Sequence, residues 1–577
     1  MKEFLKMTAA TVVGFLIVTV ISSFLSMVIF AAFIASASTS KPVKVQEGSL
    51  MKINLSGAVV ERSESDEMEA LMRAMGEDVS SVSLDDLRSA IDKAASADEI
   101  IGIYIECGAL SASPASVQEI RGMLKEFREE SGKPVYAYAD NFTQGAYWAV
   151  ADADAIWLNP HGLLSLSGIT MQTMFFEKAL SNLGIEMQVF KVGTFKSAVE
   201  PYTRNSMSDA NREQMQLIAD NIWAQMVSDA GNRPMQRTAD GSGIATPARQ
   251  ALADGFVHGL LYRQDVEERL DSLTGRDVKF IGYRKFNRAV ENVVTAANTV
   301  AVLYATGAID GGQQGDMDSE KIVKELNRLA DNDKVKAVVL RVNSPGGSAF
   351  GSEQMWYAAK RLREKKPLVV SMGDYAASGG YYMSCMADTI VAQPTTLTGS
   401  IGIFGMFPCA ERLLDKIGVS FDGVKTAEHA DFGLISRPVT ESERAIMQKH
   451  INDGYELFVS RCAEGRGMTA DEIKAIAEGR VWTGADALRL GLVDELGGLD
   501  RAIEIAGEMA SLANYRVAEY PKKKDFMTQF METLNSDIEA RILSRRLGTS
   551  AVWYDALRRA QSMQGVQALM PYMIIAD

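Results

Sequence analysis

One succession of strands and helices occurs twice in this chain, and this internal repeat limits the fold more than any other feature of the sequence. Residues 97–106 (ADEIIGIYIE) are similar to residues 332–342 (NDKVKAVVLRV), and residues 133–137 (KPVYA) to residues 366–370 (KPLVV). In both halves these short apolar runs alternate with segments of helical periodicity, which predicts parallel βα units. We therefore predict a tandem repeat of one α/β domain.

The length and composition agree with two folded domains. The chain has 577 residues, of which 47% are hydrophobic and 23% are charged, as in ordinary globular proteins. We place an N-terminal domain at residues 47–295, a C-terminal domain at residues 296–520 and a tail at residues 521–577. Apolar residues and arginines at helical spacing predict a mainly helical tail that packs on a domain or a subunit.

Residues 1–46 are predicted to be an N-terminal transmembrane anchor and a linker. Residues 8–34 form an uncharged apolar run that is longer than the core of a secretory signal and long enough to span a bilayer. The small residues at 35–38 (ASAS) leave a cleavable signal as the alternative, but we favour an uncleaved anchor. Lysines lie on both sides of the run, so the orientation with the N-terminus in the cytosol is only weakly indicated.

Charge and residue counts argue against several other functions. The formal net charge of −14 argues against nucleic acid as a partner. The four cysteines lie far apart, and none of the four histidines has the spacing of a metal ligand. We therefore expect no disulfide framework, no metal and no cofactor.

A serine in the C-terminal half is placed where a nucleophile could act. The apolar strand that begins at Pro367 is predicted to turn at Gly373-Asp374 and then to enter a helix through Ala376-Ala-Ser378-Gly379-Gly. A helix N-terminus favours negative charge, which a reaction that forms an oxyanion can use. The alternative is a tight contact between a helix and a strand that simply requires small residues.

The two halves have lost complementary residues at this site. Ser378 is matched by Gln144, whereas Lys196 of the N-terminal half is matched by Ala430, and 52 residues separate the two positions in both halves. A composite site needs one serine and one lysine. A serine hydroxyl needs a base, and a lysine can serve when burial lowers its pKa. We therefore predict Ser378 as the nucleophile and Lys196 as the general base; the alternative for Lys196 is an ordinary surface lysine.

Three further residues complete the predicted site. Ser400, whose counterpart by spacing is Leu166, could orient the lysine amine, although it could also be an ordinary turn serine. Gly347 follows a buried strand, and we assign the N–H groups of Gly347 and Gly379 to an oxyanion hole.

Two alternatives concern other groups near these residues. His429 lies next to Ala430 and could serve as the base in place of the lysine. The glycines at 346–347 could belong to a phosphate-binding loop, but no Gly-Lys-Ser/Thr follows them.

The motifs together resemble the signal peptide peptidase A family of membrane-anchored bacterial serine peptidases, in its long tandem-domain form. The resemblance extends from the anchor to about residue 520 and is carried by four motifs: residues 195–201 (FKSAVEP), 343–347 (NSPGG), 376–382 (AASGGYY) and 397–402 (LTGSIG).

The resemblance implies two ClpP/crotonase-like domains and a Ser–Lys dyad built across them, with Ser400 as the hydrogen-bond partner of the lysine. It also implies a homotetrameric dome on the outer face of the bacterial inner membrane. The implied substrates are remnant signal peptides and other hydrophobic peptides.

Two functions from other classes remain as alternatives at this point. An acyl-CoA enzyme of the crotonase type could use the same oxyanion hole, but it would need neither Ser378 nor a membrane anchor. A non-enzymatic membrane scaffold with a degenerate peptidase fold would predict losses scattered over both halves.

Overall fold

The structure is a computed structural model, and it describes the following residues: 6–8, 13–15, 17–19, 21–22, 44–63, 81–231, 241–290, 296–312, 315–523 and 566–570. Most of the predicted membrane anchor lies outside these residues. Within the part of the chain that is described, no helix is both long enough and apolar enough to cross a bilayer. The anchor and its orientation therefore stay predictions.

The N-terminal half folds around a parallel sheet. The described strands of this half are β1 (Ser49–Val60), β2 (Ser81–Ser83), β3 (Ile100–Ser111), β4 (Val135–Ala139), β5 (Ala155–Leu158), β6 (Leu163–Leu164), β7 (Glu186–Lys191), β8 (Thr246–Pro247), β9 (Gly259–Leu260) and β10 (Lys279–Gly282). All of them except β6, β7 and β8 belong to the parallel sheet. The sheet has the order β10-β1-β3-β4-β5-β9, with β2 beside the end of β1. Met51 and Leu50 belong to two different buried clusters, so both faces of the sheet are covered, as parallel sheets require.

Helices follow the strands of this half. They are α1 (Leu84–Ser96), α2 (Pro114–Ser131), α3 (Gln144–Val150), α4 (Glu177–Leu183), α5 (Glu200–Thr203), α6 (Asp209–Asp229), α7 (Ala248–Ala253), α8 (Val266–Thr274) and α9 (Tyr283–Ala289), with short 3-10 turns at Ser242–Ala245 and Arg263–Asp265. The predicted alternation of strands and helices is confirmed in this half.

The C-terminal half repeats the arrangement in a sheet of eight strands. The described strands of this half are β11 (Thr299–Thr306), β12 (Val335–Ser344), β13 (Gly346–Ser348), β14 (Leu368–Ala377), β15 (Thr389–Ala392), β16 (Leu397–Gly399), β17 (Phe404–Cys409), β18 (Val481–Thr483), β19 (Glu495–Leu496), β20 (Arg516–Tyr520) and β21 (Val566–Leu569). All of them except β13, β17 and β21 belong to the sheet of eight. The order is β18-β16-β14-β12-β11-β20, with β15 paired to β14 and β19. Only β18 is antiparallel to its neighbour among the described strands of this sheet.

The helices of the C-terminal half occur in the same succession. They are α10 (Ser319–Asp331), α11 (Ala349–Arg363), α12 (Gly379–Ser384), α13 (Glu411–Lys416), α14 (Glu441–Arg466), α15 (Ala470–Ile476), α16 (Gly484–Arg489) and α17 (Leu499–Met509). Strands β1, β3 and β4 thus correspond to β11, β12 and β14, and each half has its own buried core. The exact domain boundaries stay predictions.

The predicted turn at Gly373-Asp374 is wrong. Both residues lie inside β14, at a point where the pairing of β12 with β14 shifts register. The glycine is needed for a close approach, because a Cβ at Gly373 would lie 2.5 Å from Glu61 Oε1. The Asp374 carboxylate accepts hydrogen bonds from the N–H and the hydroxyl of Ser116, at 3.0 and 2.7 Å, so it bonds to the other half of the chain.

A buried arginine joins the two halves. The Arg341 side chain lies on β12 and is 1% exposed. Its guanidinium donates to Glu119 at 2.6 Å and to Glu61 at 3.0 Å, both in the N-terminal half, and to Ser371 Oγ at 2.9 Å. A buried charge is tolerated only when it is paired and fully hydrogen-bonded, so this contact requires both halves to be folded against each other.

A small antiparallel sheet crosses between the halves. Its order is β13-β21-β17-β7, so β7 of the N-terminal half extends a sheet that otherwise belongs to the C-terminal half. Strands β7 and β17 pair along their whole length, from Phe404 opposite Lys191 to Cys409 opposite Glu186. Because of this pairing, the loop that follows β7 (residues 192–199) lies against the C-terminal half.

The helical prediction for the tail is wrong for the tail residues that form β21. Val566–Leu569 is a strand because it lies between two strand edges, β13 and β17, whose unpaired backbone groups it completes. Apart from residues 521–523 and 566–570, the tail lies outside the described residues.

Candidate active site

Ser378 links β14 to the short helix α12 in a strained backbone conformation. Its φ is 56° and its ψ is −112°, a combination that costs a residue with a side chain about 1–3 kcal/mol. The conformation is held by two backbone hydrogen bonds of 2.8 Å: the Ser378 N–H donates to the Gly399 carbonyl, and the Ser378 carbonyl accepts from Tyr382. The hydroxyl makes no helix-capping bond and is therefore available to other partners.

The two glycines after Ser378 are required by close contacts. A Cβ at Gly379 would lie 2.6 Å from Ser352 Oγ, and a Cβ at Gly380 would lie 2.7 Å from the Ser344 carbonyl oxygen. The first turn of α12 thus packs directly on backbone and small side chains. This explains the Ser-Gly-Gly sequence by sterics alone.

The lysine loop of the N-terminal half is fixed to the C-terminal half. The loop follows β7, and the Phe195 N–H donates to the Glu478 carbonyl at 3.0 Å. A Cβ at Gly479, which has φ +75°, would lie 2.6 Å from the Cβ of Lys196. The Gln214 amide donates to the Phe195 carbonyl at 3.2 Å, and its oxygen accepts from the Val481 N–H at 3.2 Å.

These contacts bring Lys196 to Ser378. The Lys196 Nζ lies 2.7 Å from Ser378 Oγ and 3.1 Å from both the hydroxyl and the carbonyl oxygen of Ser400. All three side chains are fully buried. Burial lowers the pKa of Lys196 well below its ordinary value, because the ammonium form loses its hydration.

Ser400 is held as firmly as Ser378. It follows β16, has φ 52°, and donates its N–H to the Arg480 carbonyl at 2.7 Å. The residues of the loop 478–481 therefore contact both Lys196 and Ser400. The three polar groups come from three separate segments of the chain, and the structure brings them together.

The glycines predicted for the oxyanion hole lie beside the serine. Gly347 has φ +153°, and Gly346 before it has φ +100°. A Cβ at Gly346 would lie 2.8 Å from the backbone nitrogen of Gly379, so the Gly-Gly pair and Gly379 border one narrow space. Their assignment as an oxyanion hole stays a prediction.

Comparison with known proteins identifies the family. The model for peptidase family S49 matches residues 127–277 and 360–513, one segment in each half. The chain belongs to peptidase family S49.

Relatives of this S49 peptidase carry protease names. "Protease 4" from Salmonella typhi is 35% identical and covers 87% of this chain and 84% of its own length. "Serine protease SPPA, chloroplastic" from Arabidopsis thaliana is 30% identical over 91% of this chain and 78% of its own length. "Putative signal peptide peptidase SppA" from Enterococcus faecium is 29% identical over 46% of this chain and 79% of its own length.

These comparisons settle the class of the protein. It is a serine peptidase of the SppA type, and the predicted tandem of two ClpP/crotonase-like α/β domains is confirmed. Family membership decides against the acyl-CoA enzyme and the non-enzymatic scaffold.

In the N-terminal half of the S49 peptidase, Gln144 occupies the position that Ser378 has in the other half. The Gln144 side-chain oxygen accepts from the N–H groups of Ser167 and Gly168 at 3.0 and 2.9 Å, and its amide donates to the Gly168 carbonyl at 3.1 Å. Gln144 thus fixes the neighbouring loop. These hydrogen bonds stabilise the loop, and the side-chain amide of Gln144 cannot act as a nucleophile.

The structure places the alternative base elsewhere. His429 Nδ1 lies 3.4 Å from Glu443 Oε1, and Glu443 itself accepts hydrogen bonds from Arg437. The basic group beside Ser378 is Lys196.

No group of three or more metal-ligating side chains occurs in the described residues. The expectation that the peptidase needs neither metal nor cofactor stays a prediction.

The sequence did not identify the glycines that pack against the side chain of Lys196. Gly479 touches the start of the Lys196 side chain, and a Cβ at Gly402 would lie 3.3 Å from its Cδ. The aliphatic part of the lysine therefore runs between two glycines of the C-terminal half. The sequence signal was present in the motifs LTGSIG and GRVWTG, but the repeat alone does not say which glycine faces the lysine.

Proposed function

We propose that this S49 peptidase is an endopeptidase in which Ser378 is the nucleophile and Lys196 is the general base. The observation that carries the proposal is the 2.7 Å separation of Lys196 Nζ and Ser378 Oγ at a fully buried lysine. Burial favours the neutral amine, which a base requires.

The surroundings of the amine suit proton transfer. A neutral lysine amine has two N–H groups and one lone pair. The two oxygens of Ser400, both at 3.1 Å, accept the two N–H bonds. The lone pair is then directed at the Ser378 hydroxyl, which donates its proton. Ser400 is thus a positioning residue for the base.

The reaction follows from these roles. Ser378 Oγ attacks the peptide carbonyl while its proton passes to Lys196, and the N–H groups of Gly347 and Gly379 stabilise the oxyanion. The Lys196 ammonium then gives the proton to the leaving amine, and the C–N bond breaks. Water, deprotonated by the same amine, hydrolyses the acyl-enzyme and restores Ser378.

Hydrophobic peptides, including remnant signal peptides, are the proposed substrates. An apolar cluster that includes Phe404, Met406, Val199 and Tyr202 lies next to the lysine loop and would favour apolar side chains. The name of the Enterococcus faecium relative supports the same substrate class. The uncharged run at residues 8–34 supports a single-pass anchor. The resemblance to membrane-anchored bacterial peptidases supports the inner membrane as its location, with the catalytic part on the outer face.

Self-association into a homotetramer is part of the proposal. In each chain, β7 pairs with β17, and the repeat gives both strands a counterpart in the other half: residues 420–425 correspond to β7 and residues 170–175 to β17. Neither counterpart is a strand, and residues 420–425 are exposed, with Val424 fully so. Pairing of these two segments between copies would be head-to-tail, and a fourfold rotation between neighbouring copies would close it into the proposed tetrameric ring.

Hydrolysis of an apolar peptide by the full-length protein in detergent tests the dyad. We expect wild type and the surface control Lys125→Met to be active, and Ser378→Ala and Lys196→Met to be inactive while they remain folded. Activity in Lys196→Met at the wild-type rate would show that the base is another group.

A further inference from the structure

Gln214 is a buried side chain that joins the lysine loop to the C-terminal half. It lies on α6 and is 1% exposed. Its side-chain nitrogen donates to the Phe195 carbonyl and to Ser197 Oγ, both at 3.2 Å, and these two residues lie on either side of Lys196. Its side-chain oxygen accepts from the Val481 N–H at 3.2 Å. One amide therefore bonds to both sides of the boundary at which Lys196 meets the C-terminal half.

The bond to Val481 also concerns Ser400. Val481 begins β18, which pairs with β16, and Ser400 follows β16. The residue before Val481, Arg480, accepts the N–H of Ser400 at 2.7 Å. Gln214 thus fixes the segment that holds Ser400, whose hydroxyl lies 3.1 Å from the Lys196 amine. Through its two ends the amide relates the backbone around Lys196 to the group that accepts from its amine.

The hydrogen bonds require a glutamine at this place. The Val481 N–H needs an acceptor and the Phe195 carbonyl needs a donor, and an amide offers one of each. A carboxylate would have no donor for the carbonyl. An apolar side chain would leave both backbone groups without this partner in a buried place, which is unfavourable.

A chain of buried hydrogen bonds fixes Gln214 in turn. Its nitrogen also donates to Asn211 Oδ1 at 3.1 Å, and the Asn211 amide donates to the carboxylate of Glu200 at 3.0 Å. Glu200 is buried and also accepts from the N–H of Ser208, the N-cap of α6, at 3.1 Å. Glu200 belongs to the same sequence motif as Lys196, residues 195–201. The start of α6 is therefore fixed to the segment that carries the lysine.

We propose that Gln214 is a positioning residue for the general base. It holds the lysine loop and residues 478–481 in the arrangement in which the Lys196 amine meets both Ser378 and Ser400. This inference rests on the proposed function, because it concerns the proposed base. The alternative is a glutamine that only stabilises the contact between the two halves.

Gln118 provides a matched control for that alternative. It is buried, and its amide also joins the two halves: the nitrogen donates to Asp229 at 3.1 Å, and the oxygen accepts from the N–H and the hydroxyl of Thr395 at 3.1 and 2.7 Å. Both partners lie outside the lysine loop and outside residues 478–481. A role in stability alone would therefore give Gln118→Leu and Gln214→Leu the same consequences.

Steady-state kinetics of the full-length variants is the first test. Gln214→Leu should lower kcat about 100-fold, because a shift of about 1 Å in a catalytic group can cost that much in rate. KM should change little, because the hydrogen bonds of Gln214 go to groups of the protein. Gln118→Leu should keep nearly the wild-type kcat. Gln214→Met, which keeps the length of the side chain, serves as the test variant if Gln214→Leu does not fold.

The pH profile is a readout that a role in stability alone would not change. If the lysine loop is released, water reaches the amine, and the pKa of Lys196 rises towards its ordinary value. The fall of kcat/KM towards low pH should therefore begin at a higher pH in Gln214→Leu than in wild type. Gln118→Leu should show the wild-type profile. Equal kcat and equal pH profiles in the two leucine variants would overturn the proposal.

Urea unfolding at a series of pH values separates this proposal from the proposed dyad. The buried lysine should make wild type more stable as the pH rises from the lowered pKa of Lys196 to about 10.5. This rise should be smaller in Gln214→Leu and unchanged in Gln118→Leu, whichever group is the base. Activity in Lys196→Met would contradict the dyad, whereas a full rise in Gln214→Leu would contradict the positioning role.

Discussion

The two halves of the molecule treat the same position in opposite ways. In the N-terminal half, Gln144 begins α3 after Thr143, whose hydroxyl accepts from the Ala146 N–H and caps the helix. In the C-terminal half, Ser378 itself is the N-cap of α12, yet its hydroxyl caps nothing and lies against Lys196. A lost cap costs about 1 kcal/mol, and the positive φ of Ser378 costs about 1–3 kcal/mol more.

The difference shows how much stability the fold loses at the proposed catalytic serine. In place of the proposed nucleophile, the N-terminal half has a side chain that makes three hydrogen bonds to its own loop. The half with the proposed nucleophile has a strained serine and, against it, a buried amine. The strained backbone and the uncapped helix at Ser378 lower stability there, as is common for active sites. The hydrogen bonds of Gln144 raise stability at the matching position of the N-terminal half.

The largest effect is expected when the side chains of Ser378 and Gln144 are removed one at a time. Ser378→Ala should lower kcat by at least about 10⁴-fold, since it removes the oxygen that forms the proposed acyl-enzyme. Gln144→Ala should keep nearly full activity and lose only stability, measured by thermal unfolding. A large loss of kcat in Gln144→Ala would mean that the N-terminal half takes part in the chemistry.

Gly479→Ala should have the next largest effect. The added Cβ would collide with the Cβ of Lys196, and a shift of about 1 Å in a catalytic group can cost about 100-fold in rate. Gly255→Ala in the N-terminal half is the matched control, because Gly255 has almost the same φ, +74°, and no atom within 4 Å of an added Cβ. If both substitutions lower kcat/KM equally, backbone strain and not the position of the lysine is responsible.

The pH dependence of the rate should follow the buried amine. The lysine acts when neutral, so kcat/KM should fall about tenfold per pH unit once the pH drops below its lowered pKa. The unfolded chain has an ordinary lysine and binds more protons between the lowered pKa and about 10.5, so stability should rise with pH in that window. Lys196→Met should lack this rise; its persistence would assign the effect to another group.

The smallest expected effect concerns the difference in stability between a glycine and an alanine variant, which should have opposite signs at Ser378 and at Gln144. Ser378→Gly should be more stable than Ser378→Ala by about 1 kcal/mol, because glycine adopts the positive φ freely. Gln144→Gly should be less stable than Gln144→Ala by less than about 1 kcal/mol, because Gln144 is the first helical residue of α3 and the full cost of glycine applies inside a helix. Urea unfolding of the four variants measures both differences, and equal signs would remove the contrast in strain.

Much of this site could be predicted because the repeat preserves spacing. The pairing of Ser378 with Lys196 followed from equal separations and complementary losses, and the structure places the two side chains in contact. The loop 478–481 could not be assigned to Lys196, because that contact involves backbone atoms and a glycine far away in the sequence. The predictions of a turn at Gly373-Asp374 and of a helix over the residues of β21 were wrong because tertiary partners, and not local preference, decide the conformation there.

The proposed dyad, divided between two halves, would also set the time at which the peptidase can first act. A ribosome makes the lysine-bearing half first, and synthesis at about 5–20 residues per second puts Ser378 and Gly479 on the order of tens of seconds behind Lys196. Until then the nascent chain has the proposed base without the proposed nucleophile. With this dyad the enzyme would be inactive during most of its synthesis, and it could cleave a first peptide only when nearly the whole polypeptide has been made.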